Sequence, residues 1–384
     1  MTRTPLGWLQ LSHNKGRLAL AMAGVGFATL LVFMQLGFMG ALFESSVRMH
    51  RGLKADLVLT SSVSRQFEAL GSLPRRRLLQ ALEVEGVADG AALHYGSIDW
   101  IHPTTQKRAR FGVFGVEAES DVFVDPEISS QLWRLKAPNS VLFDREARGD
   151  WSEALRRLDA GEALSVELSG RRASVEGTFR FGATFGVDGM MIASASTWLA
   201  FAPARPAGVI SLALLTVTPG SDPSQVRDAL RARLPSDDTK VMTYEEFIEN
   251  DLRFLREDSP VSTIFTFGVV IGLLVGAAIV YQLLATDVAD HLVEYATFKA
   301  MGFSHRYLLS VVMEQAAILT LLGFLPGLAC ALLLYQALGA LTALPIAMPA
   351  ERLLIVFALT FLTCCLSGAL ATRRLAAVDP ADVF

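Results

Sequence analysis

Four long apolar segments, almost free of charged residues, constrain this sequence more than any other feature. Each is long enough to cross the hydrocarbon core of a bilayer, which needs roughly 20 apolar residues in a helix. The whole chain is 52% hydrophobic and 19% charged, whereas soluble domains carry about 25% charged residues. The pattern therefore predicts a membrane protein with four transmembrane helices, at residues 18–43, 259–285, 308–338 and 353–370.

The first apolar segment, residues 18–43, is unlike a cleaved secretory signal peptide. It is longer than the roughly 7 to 15 residues of a signal-peptide core, and the sequence FMGALFESS at its end has no A-x-A cleavage site. At about 1.5 Å per residue the segment would span about 39 Å, against about 30 Å of hydrocarbon. We therefore expect a retained helix that continues out of the membrane into the next domain.

The segment 44–258 has the composition of a soluble protein and is too long for a connecting loop. Its strand and helix patterns are mixed, which predicts an α+β domain outside the membrane. Helical patterns are present at residues 73–87, 221–235 and 243–260, the last of which leads into the second span. Strand-like runs occur at residues 55–60, 110–116, 140–144, 165–170, 189–194 and 210–218.

Lysine and arginine residues near the spans predict the orientation of the chain, because these residues are enriched in cytoplasmic loops. The residues on the side assigned to the cytoplasm are Arg3, Lys15, Arg17, Lys299, Arg306, Arg373 and Arg374. Arg48, Arg51 and Lys54 oppose this assignment, but long domains cross the membrane largely regardless of charge. We therefore expect cytoplasmic segments at 1–17, 286–307 and 371–384, a periplasmic domain at 44–258 and a short periplasmic loop at 339–352.

Small residues recur at every fourth position in the second and third spans. The second span carries Gly268, Gly272 and Gly276, and the third carries Gly323 and Gly327. Such stripes allow the backbones of two membrane helices to approach closely. Two interpretations are open at this point: packing among the four helices of one chain, or a seam between two copies of the chain in a homodimer.

Common motifs of catalysis and nucleotide binding are missing from the sequence. It has no G-x-x-x-x-G-K-[ST], H-E-x-x-H or G-x-S-x-G pattern, its six histidines are scattered, and its three cysteines lie in apolar segments. We expect a non-catalytic chain without a metal site or a bound cofactor, and the net charge of -4 gives no basic surface for nucleic acid. Glu314 is the only charged residue within the spans. Either a functional intramembrane charge or a carboxylate that reaches the membrane interface would account for it.

The connection between the second and third spans is patterned, although a bare connector of about four to six residues would suffice. Its polar residues recur at helical spacing, at Asp287, Asp290, His291, Glu294 and Thr297. Apolar residues occupy the opposite side, so the pattern predicts a short amphipathic helix. A helix of this kind needs a partner for its surface, and we therefore expect a docking site within residues 286–307.

Three stretches resemble one family of membrane proteins. They are EYATFKAMGFSHRYLL at residues 294–309, VVMEQAAILTLLGFLPG at 311–327 and RRLAAVDPADVF at 373–384. They are similar to the RE-x-x-x-L-K-A-x-G loop, the third span and the DPAE ending of the FtsX/MacB/LolC-type permeases of ABC transporters. Among the branches of this family, the DevC-type permease subunit is the most similar. The implied fold class is an α-helical membrane protein with four transmembrane helices and a large extracytoplasmic α+β domain, similar to the periplasmic core domain of MacB, between helices 1 and 2.

The resemblance implies that residues 286–307 form the coupling helix, which docks into a cleft of a separate ABC ATP-binding subunit. The residues that this assignment selects are His291, Glu294, Tyr295, Phe298, Lys299, Met301, Gly302 and His305. Gly302 suits the end of such a helix because glycine accepts a left-handed conformation. Lys299, in the last turn, complements the helix dipole. ATP and Mg²⁺ would be held by the partner ATPase.

The family further implies mechanotransmission, in which closure of two ATPase subunits moves the coupling helices and the first two spans pass that motion to the outer domains. The chain would act as a homodimer in the bacterial inner membrane, in contact with membrane lipid. A periplasmic adaptor, also called a membrane fusion protein, and an outer-membrane channel would complete an exporter of lipid or another hydrophobic cargo. Two alternatives stay open: an FtsX-like scaffold that activates an extracytoplasmic hydrolase without transport, and LolC-like lipoprotein release.

Overall fold

The computed structural model describes residues 6–101, 108–168, 170–206, 208–294, 297 and 301–376. Within it the chain divides into two compact units. We call residues 1–40, 260–338 and 346–384 the membrane unit, and residues 41–259 together with 339–345 the sheet domain. The sheet domain is therefore built mainly from the chain between the first and second apolar segments.

Four of the helices are long and apolar enough to cross a membrane, which confirms the predicted fold class. They are α2, α9, α10 and α11 in the following series. The described helices are α1 (Leu6–His13), α2 (Lys15–Arg51), α3 (Arg75–Ala81), α4 (Pro126–Ser129), α5 (Ser152–Asp159), α6 (Ala195–Phe201), α7 (Pro223–Arg233), α8 (Tyr244–Glu257), α9 (Pro260–Asp290), α10 (His305–Thr342) and α11 (Ala350–Ala376).

The four long helices extend beyond the predicted spans. The helix α2 continues past residue 43 to Arg51, α9 continues past residue 285 to Asp290, and α10 continues past residue 338 to Thr342. The difference has a simple cause, because an apolar run marks only the part of a helix that suits hydrocarbon, whereas backbone hydrogen bonds continue into polar sequence. The expectation that the first span continues as a helix toward the next domain is met.

Two clusters of buried side chains hold the membrane unit together. One contains Leu11 of α1, Val25 of α2, Leu284 of α9 and Val312 of α10. The other contains five residues, namely Val32, Phe33, Phe324, Ala331 and Val356. The hydroxyl of Ser367 also donates a hydrogen bond to the carbonyl of Ala277, at 3.0 Å, and so joins α11 to α9. All the long helices thus share one packed interior with the short helix α1.

A mixed sheet of nine strands forms the centre of the sheet domain. The strands are β1 (Leu57–Ser61), β2 (Leu73–Pro74), β3 (Val87–Ile101), β4 (Arg108–Val116), β5 (Ser140–Asp144), β6 (Leu164–Leu168), β7 (Arg171–Phe179), β8 (Gly189–Ser194), β9 (Val209–Ile210), β10 (Leu212–Val217) and β11 (Thr239–Thr243). The strand order is β11-β1-β10-β3-β4-β8-β5-β7-β6, and β2 pairs separately with β9. The pairs β4–β8 and β5–β7 are parallel.

The long strand β3 organises this sheet. Residues 87–93 pair with β10, and residues 94–101 pair with β4. At the far end of the sheet, β6 returns to β3, where Trp100 is paired with Leu168. Six strands, β3, β4, β8, β5, β7 and β6, are therefore closed into a ring, which removes the free edges that an open sheet would leave on that side.

Large aromatic side chains fill the core around the ring. The rings of Trp100 and Trp151 stack with their centroids 4.5 Å apart, and Phe111 and Phe143 pack beside them with centroids 5.5 Å apart. On the other half of the sheet, the helices α3 and α7 cover a cluster of aliphatic residues that includes Leu57, Leu73, Leu78 and Leu230. A third cluster extends across both halves of the sheet and includes Val58, Leu214, Phe114 and Ile192.

A buried carboxylate joins several segments of the sheet domain through hydrogen bonds to backbone. Asp144 is fully buried, and its carboxylate accepts backbone N–H groups from Glu146, Phe181, Gly182 and Met190 at 2.8 to 3.3 Å. Burial raises the pKa of Asp144, and the four backbone bonds oppose that rise. This side chain therefore connects β5 to the start of β8 and to the turn after β7.

A buried histidine joins the last turn of α2 to α8. The Nε2 atom of His50 lies 3.0 Å from Oδ2 of Asp251, and both side chains are almost completely inaccessible. The same carboxylate oxygen accepts the backbone N–H of Phe67 at 2.8 Å. The rings of Phe67 and Phe247 pack edge-on against the imidazole, with centroids at 5.3 and 4.6 Å. Within the sheet domain, α2 and α8 are therefore fixed to each other.

Candidate functional site

The glycine stripe of α9 faces α2 of the same chain. A Cβ atom at Gly276 would lie 2.8 Å from Cβ of Ala28, and one at Gly272 would lie 3.3 Å from the side chain of Val32. The side chain of Gln35 occupies the corresponding space beside Gly268. The three glycines thus permit the close approach of α9 to α2 that their spacing predicts.

The stripe of α10 faces another side of α2. A Cβ at Gly323 would lie 2.5 Å from Cβ of Val25, and one at Gly327 would lie 2.7 Å from the carbonyl oxygen of Gly26. Real Cβ atoms do not approach backbone so closely, so glycine is required at this crossing. All five glycines therefore serve packing against α2 within one chain.

The coupling segment, residues 286–307, joins α9 to α10. Its described residues are 286–294, 297 and 301–307. Tyr295, Phe298 and Lys299 lie outside the described residues, and their assigned roles stay predictions. Gly302 has a φ of +91°, a left-handed conformation that L side chains rarely adopt, and the N–H of Met301 donates to the carbonyl of Thr297 at 2.9 Å. His305 is the first residue of α10.

Several side chains of the coupling segment are exposed, including apolar ones. Val293 is 57% exposed, Met301 is 60% exposed and Phe303 is 41% exposed. Glu294 and Gly302 are exposed as well. Among the described residues, 293, 294 and 301–303 therefore present apolar atoms and a carboxylate, and we call these residues the accessible stretch.

His291, in contrast, faces its own helix. Its Nδ1 atom lies 2.9 Å from the carbonyl oxygen of Asp287 and 3.7 Å from Oδ1 of the same residue. The imidazole is only 21% exposed and the Asp287 carboxylate 12%. His291 therefore packs against the last turn of α9, whereas Glu294, Met301 and Gly302 are accessible.

A buried amide connects the base of the coupling segment to two other helices. Gln315 of α10 is fully buried, and its Nε2 donates to Oδ2 of Asp287 at 2.7 Å and to Oε1 of Gln10 at 3.1 Å. The adjacent Glu314, which the sequence singled out as the charged residue of this span, is only half-buried. The structure therefore places Gln315, rather than Glu314, in the polar network of the membrane unit.

An ion pair and a cavity lie beside this network. The guanidinium of Arg17 donates to the carboxylate of Asp290, which joins the start of α2 to the end of α9. A cavity of about 250 Å³ lies next to the pair and is lined in part by His13 and Asn14. The charged ends of α2 and α9 thus meet where the coupling segment begins.

Sequence reasoning treated residues 1–17 as a plain segment, but the structure forms the helix α1 there. Leu11 is buried against α10 and α9, and a Cβ at Gly7 would lie 3.1 Å from both Gln315 N and Val311 O. The chain breaks at Asn14, whose side chain accepts the N–H of Arg17 at 3.2 Å and so caps α2. An asparagine between two apolar runs was the available signal for this break.

Solved structures from three sources are similar to about half of this chain. The periplasmic region of MacB from Actinobacillus actinomycetemcomitans is 10% identical, with 52% of this chain and 94% of that chain covered and a TM-score of 0.34. The extracellular domain of the noncanonic ABC-type transporter YknZ from Gram-positive bacteria is 12% identical, with 49% and 100% covered and a TM-score of 0.34. A domain of a putative permease protein from Porphyromonas gingivalis is 16% identical, with 50% and 91% covered and a TM-score of 0.30.

No curated protein matches the chain. A family model does match its C-terminal part: residues 266–380 match the FtsX-like permease C-terminal family. The matched stretch contains the whole coupling segment, all five glycines of the two stripes, and Gln315. The motifs read from the sequence and this match agree, and residues 266–380 of the chain are similar to the C-terminal part of FtsX-like permeases.

Proposed function

We propose that this chain is the transmembrane permease subunit of an ABC exporter and that its coupling segment docks a separate ATPase subunit. The observation that carries the proposal is the accessible stretch that contains Val293, Glu294 and Met301. Apolar side chains that are exposed next to a carboxylate, between two membrane helices, gain stability when a protein partner covers them. A permease of this family works with an ABC ATPase, which holds the ATP and Mg²⁺.

The distribution of lysine and arginine supports a cytoplasmic position for the coupling segment. Arg17 lies at the start of α2 and Arg306 lies in the coupling segment, and such residues favour the cytoplasmic side. We infer that both termini and the coupling segment are cytoplasmic and that the sheet domain is periplasmic, in a bacterial inner membrane.

Mechanotransmission is supported by the way helices continue from one unit into the other. The helix α2 belongs to the membrane unit up to Gly40 and continues to Arg51 within the sheet domain. Its last turn is joined to α8 by the pair of His50 and Asp251. A displacement of α2 would therefore move the segment that leads into α9 at the same time. Two copies of the chain, one for each ATPase subunit, would complete the assembly.

We further propose that the chain works in an export assembly with a periplasmic adaptor and an outer-membrane channel. The cargo of this assembly is a lipid or another hydrophobic molecule. A regulatory FtsX-like scaffold and LolC-like lipoprotein release are the alternative outcomes. Reconstitution with the captured partners separates them, since only an exporter moves a hydrophobic cargo in an ATP-dependent manner. A scaffold would activate a hydrolase with no movement of cargo.

The first experiment is co-purification of the tagged full-length chain in mild detergent, with Glu294→Lys compared with wild type. We expect an ATP-binding subunit with the wild type and about tenfold less with the variant, because the charge at the docking face is reversed. Glu85→Lys, which makes the same charge change at an exposed position of the sheet domain, serves as the matched control and should capture the wild-type amount. Failure of the folded wild type to capture any ATPase would refute the proposal.

A further inference from the structure

Gln315 is a fully buried amide in the interior of the membrane unit. Its neighbours on the same face of α10 are the buried apolar residues Val312, Ala316 and Leu319. Polar side chains inside a membrane helix are costly and are kept where they bond other helices or serve a function. The Nε2 group is fully used, and within the described residues the Oε1 atom has no partner.

The contacts of this amide meet at a single point between three helices. Gln10 comes from α1, Asp287 from α9 and Gln315 from α10. The same Asp287 lies against the imidazole of His291, the residue at which the coupling segment leaves α9. Any displacement of the coupling segment therefore acts on the carboxylate that Gln315 holds.

The helix α1 is held at this point by its backbone as well as by Gln10. Close approach at Gly7 brings α1 against the main chain of Val311 and Gln315 on α10. The ion pair between Arg17 and Asp290 adds a second connection, from the start of α2 to the end of α9. The base of the coupling segment is thus joined to α1, α2 and α10 by side chains that do not belong to the accessible docking stretch.

We propose that Gln315 is a positioning residue that transmits movement of the coupling segment to the membrane helices, with α1 as a working part of this connection. The inference rests on the proposed docking of an ATPase, and it assigns docking and transmission to different residues. The exposed stretch around Met301 binds the partner. The hydrogen-bond chain Gln10–Gln315–Asp287 carries the displacement into the membrane unit.

The test uses the full-length chain in complex with the ATPase subunit that the wild type captures, reconstituted into lipid vesicles. The quantities measured are the dissociation constant of the ATPase and its kcat when bound. For Gln315→Leu and for Asp287→Leu we expect affinity within about twofold of wild type and about a tenfold loss of the stimulation of kcat by docking. The double variant should be no worse than either single variant, because both remove the same connection.

Conservative and matched variants make the test specific. Asp287→Asn keeps an acceptor oxygen for Gln315 and should retain most of the stimulation. Thr320→Val removes another buried polar group of α10, one whose hydroxyl donates to the carbonyl of Ala316, and should behave as wild type. If Gln315→Leu lowers the yield of folded protein, the half-buried Gln10 gives the same test through Gln10→Leu.

The outcomes separate this inference from the proposed function. Unchanged stimulation in both Gln315→Leu and Gln10→Leu would overturn the inference and leave ATPase docking intact. A parallel loss of affinity and stimulation would assign the network to docking itself, which also overturns it. Absence of any ATPase with the wild type would instead refute the proposed function.

Discussion

The crossing of α10 with α2 in the membrane unit and the aromatic core of the sheet domain are built from opposite kinds of residue. Where α10 crosses α2, the contact is made through Gly26, Gly323 and Gly327, and backbone lies against backbone. In the sheet domain the corresponding interior consists of large rings, such as those of Trp100 and Phe143. The helix crossing depends on the absence of side chains, whereas the aromatic core depends on their size.

The difference follows from the solvent around each unit. In water, burial of apolar surface stabilises a fold by about 25 cal/mol per Å². Lipid tails are as apolar as the helices they surround, so close packing has to supply the stability that water would otherwise provide. We therefore expect the membrane unit to fail when a residue is enlarged, and the sheet domain to fail when a residue is truncated or charged.

Enlargement at the helix crossing should have the largest effect. In Gly327→Leu, the new side chain would meet the carbonyl of Gly26, which cannot move without the separation of α10 from α2. We expect loss of the monodisperse species in size-exclusion chromatography in detergent. Gly339→Leu is the matched control on the same helix, since the nearest atom to its Cβ is 4.0 Å away. Normal behaviour of Gly327→Leu would contradict the comparison.

Truncation of a side chain in the aromatic core should have the second-largest effect. Phe143 is fully buried between Phe111, Trp100 and Trp151, and Phe143→Ala should lower the free energy of unfolding by about 3 to 5 kcal/mol. Denaturant titration of the full-length protein, followed by tryptophan fluorescence, measures the loss. Trp133→Ala removes an even larger ring that is 63% exposed, and its effect should stay within about 0.5 kcal/mol.

A buried histidine should give the sheet domain a pH-dependent stability. His94 is almost completely buried and stacks on Trp198. Burial lowers its pKa to about 4, with Arg205 and Arg75 adding to the effect. Because an unfolded histidine titrates near about 6.5, stability is fully present above that pH and falls as the pH drops toward 4, by about 3 kcal/mol.

The free energy of unfolding at pH 7 and at pH 4 measures this effect, and His94→Gln should reduce the difference between the two values. Burial raises the pKa of Asp144, so the stability linked to this carboxyl is lost as the pH rises instead. The comparison between variant and wild type therefore isolates the histidine. An unchanged pH dependence in His94→Gln would exclude His94 as its source.

The smallest effect is expected at the start of α8. The Thr243 hydroxyl accepts the N–H of Glu246 and the Glu246 carboxylate accepts the N–H of Thr243, both at 3.1 Å, which is a complete capping box. Thr243→Ala should cost about 1 kcal/mol. Thr243→Ser keeps the oxygen and should cost clearly less in the same unfolding titration; equal losses would place the effect in the methyl group.

The strands β1, β5 and β8 could be predicted because they are apolar on both faces. β5 and β8 are buried along nearly their whole length and fall on the predicted runs. β7 was missed although its residues alternate between buried and exposed, because the buried positions include Ala173 and Gly177, which give a weak hydrophobic signal. β3 was missed for a similar reason: Gly90 makes room for Leu215 and leaves a gap in the pattern.

The hydrogen bonds that join Gln10, Gln315 and Asp287 could not be predicted from charge alone. The sequence drew attention to Glu314, since acids are rare in spans. Helical spacing would have favoured its neighbour instead: Gln315 lies four residues from both Val311 and Leu319, which are buried on the same side of α10. The partner residues Gln10 and Asp287 are distant in sequence, so only the packed structure brings them together.

The two glycine stripes also determine how α2 can move along its own axis. Side chains that interdigitate resist sliding, because each ridge has to climb over the next. Along the stripes, α2 side chains such as Val25, Val32 and Gln35 fill the space beside the glycines of α9 and α10. The Tyr335 hydroxyl bonds to the carbonyl of Phe33 and provides one polar stop against that movement. α2 is therefore held in register with α9 and α10, and an axial force on α2 would carry the three helices together.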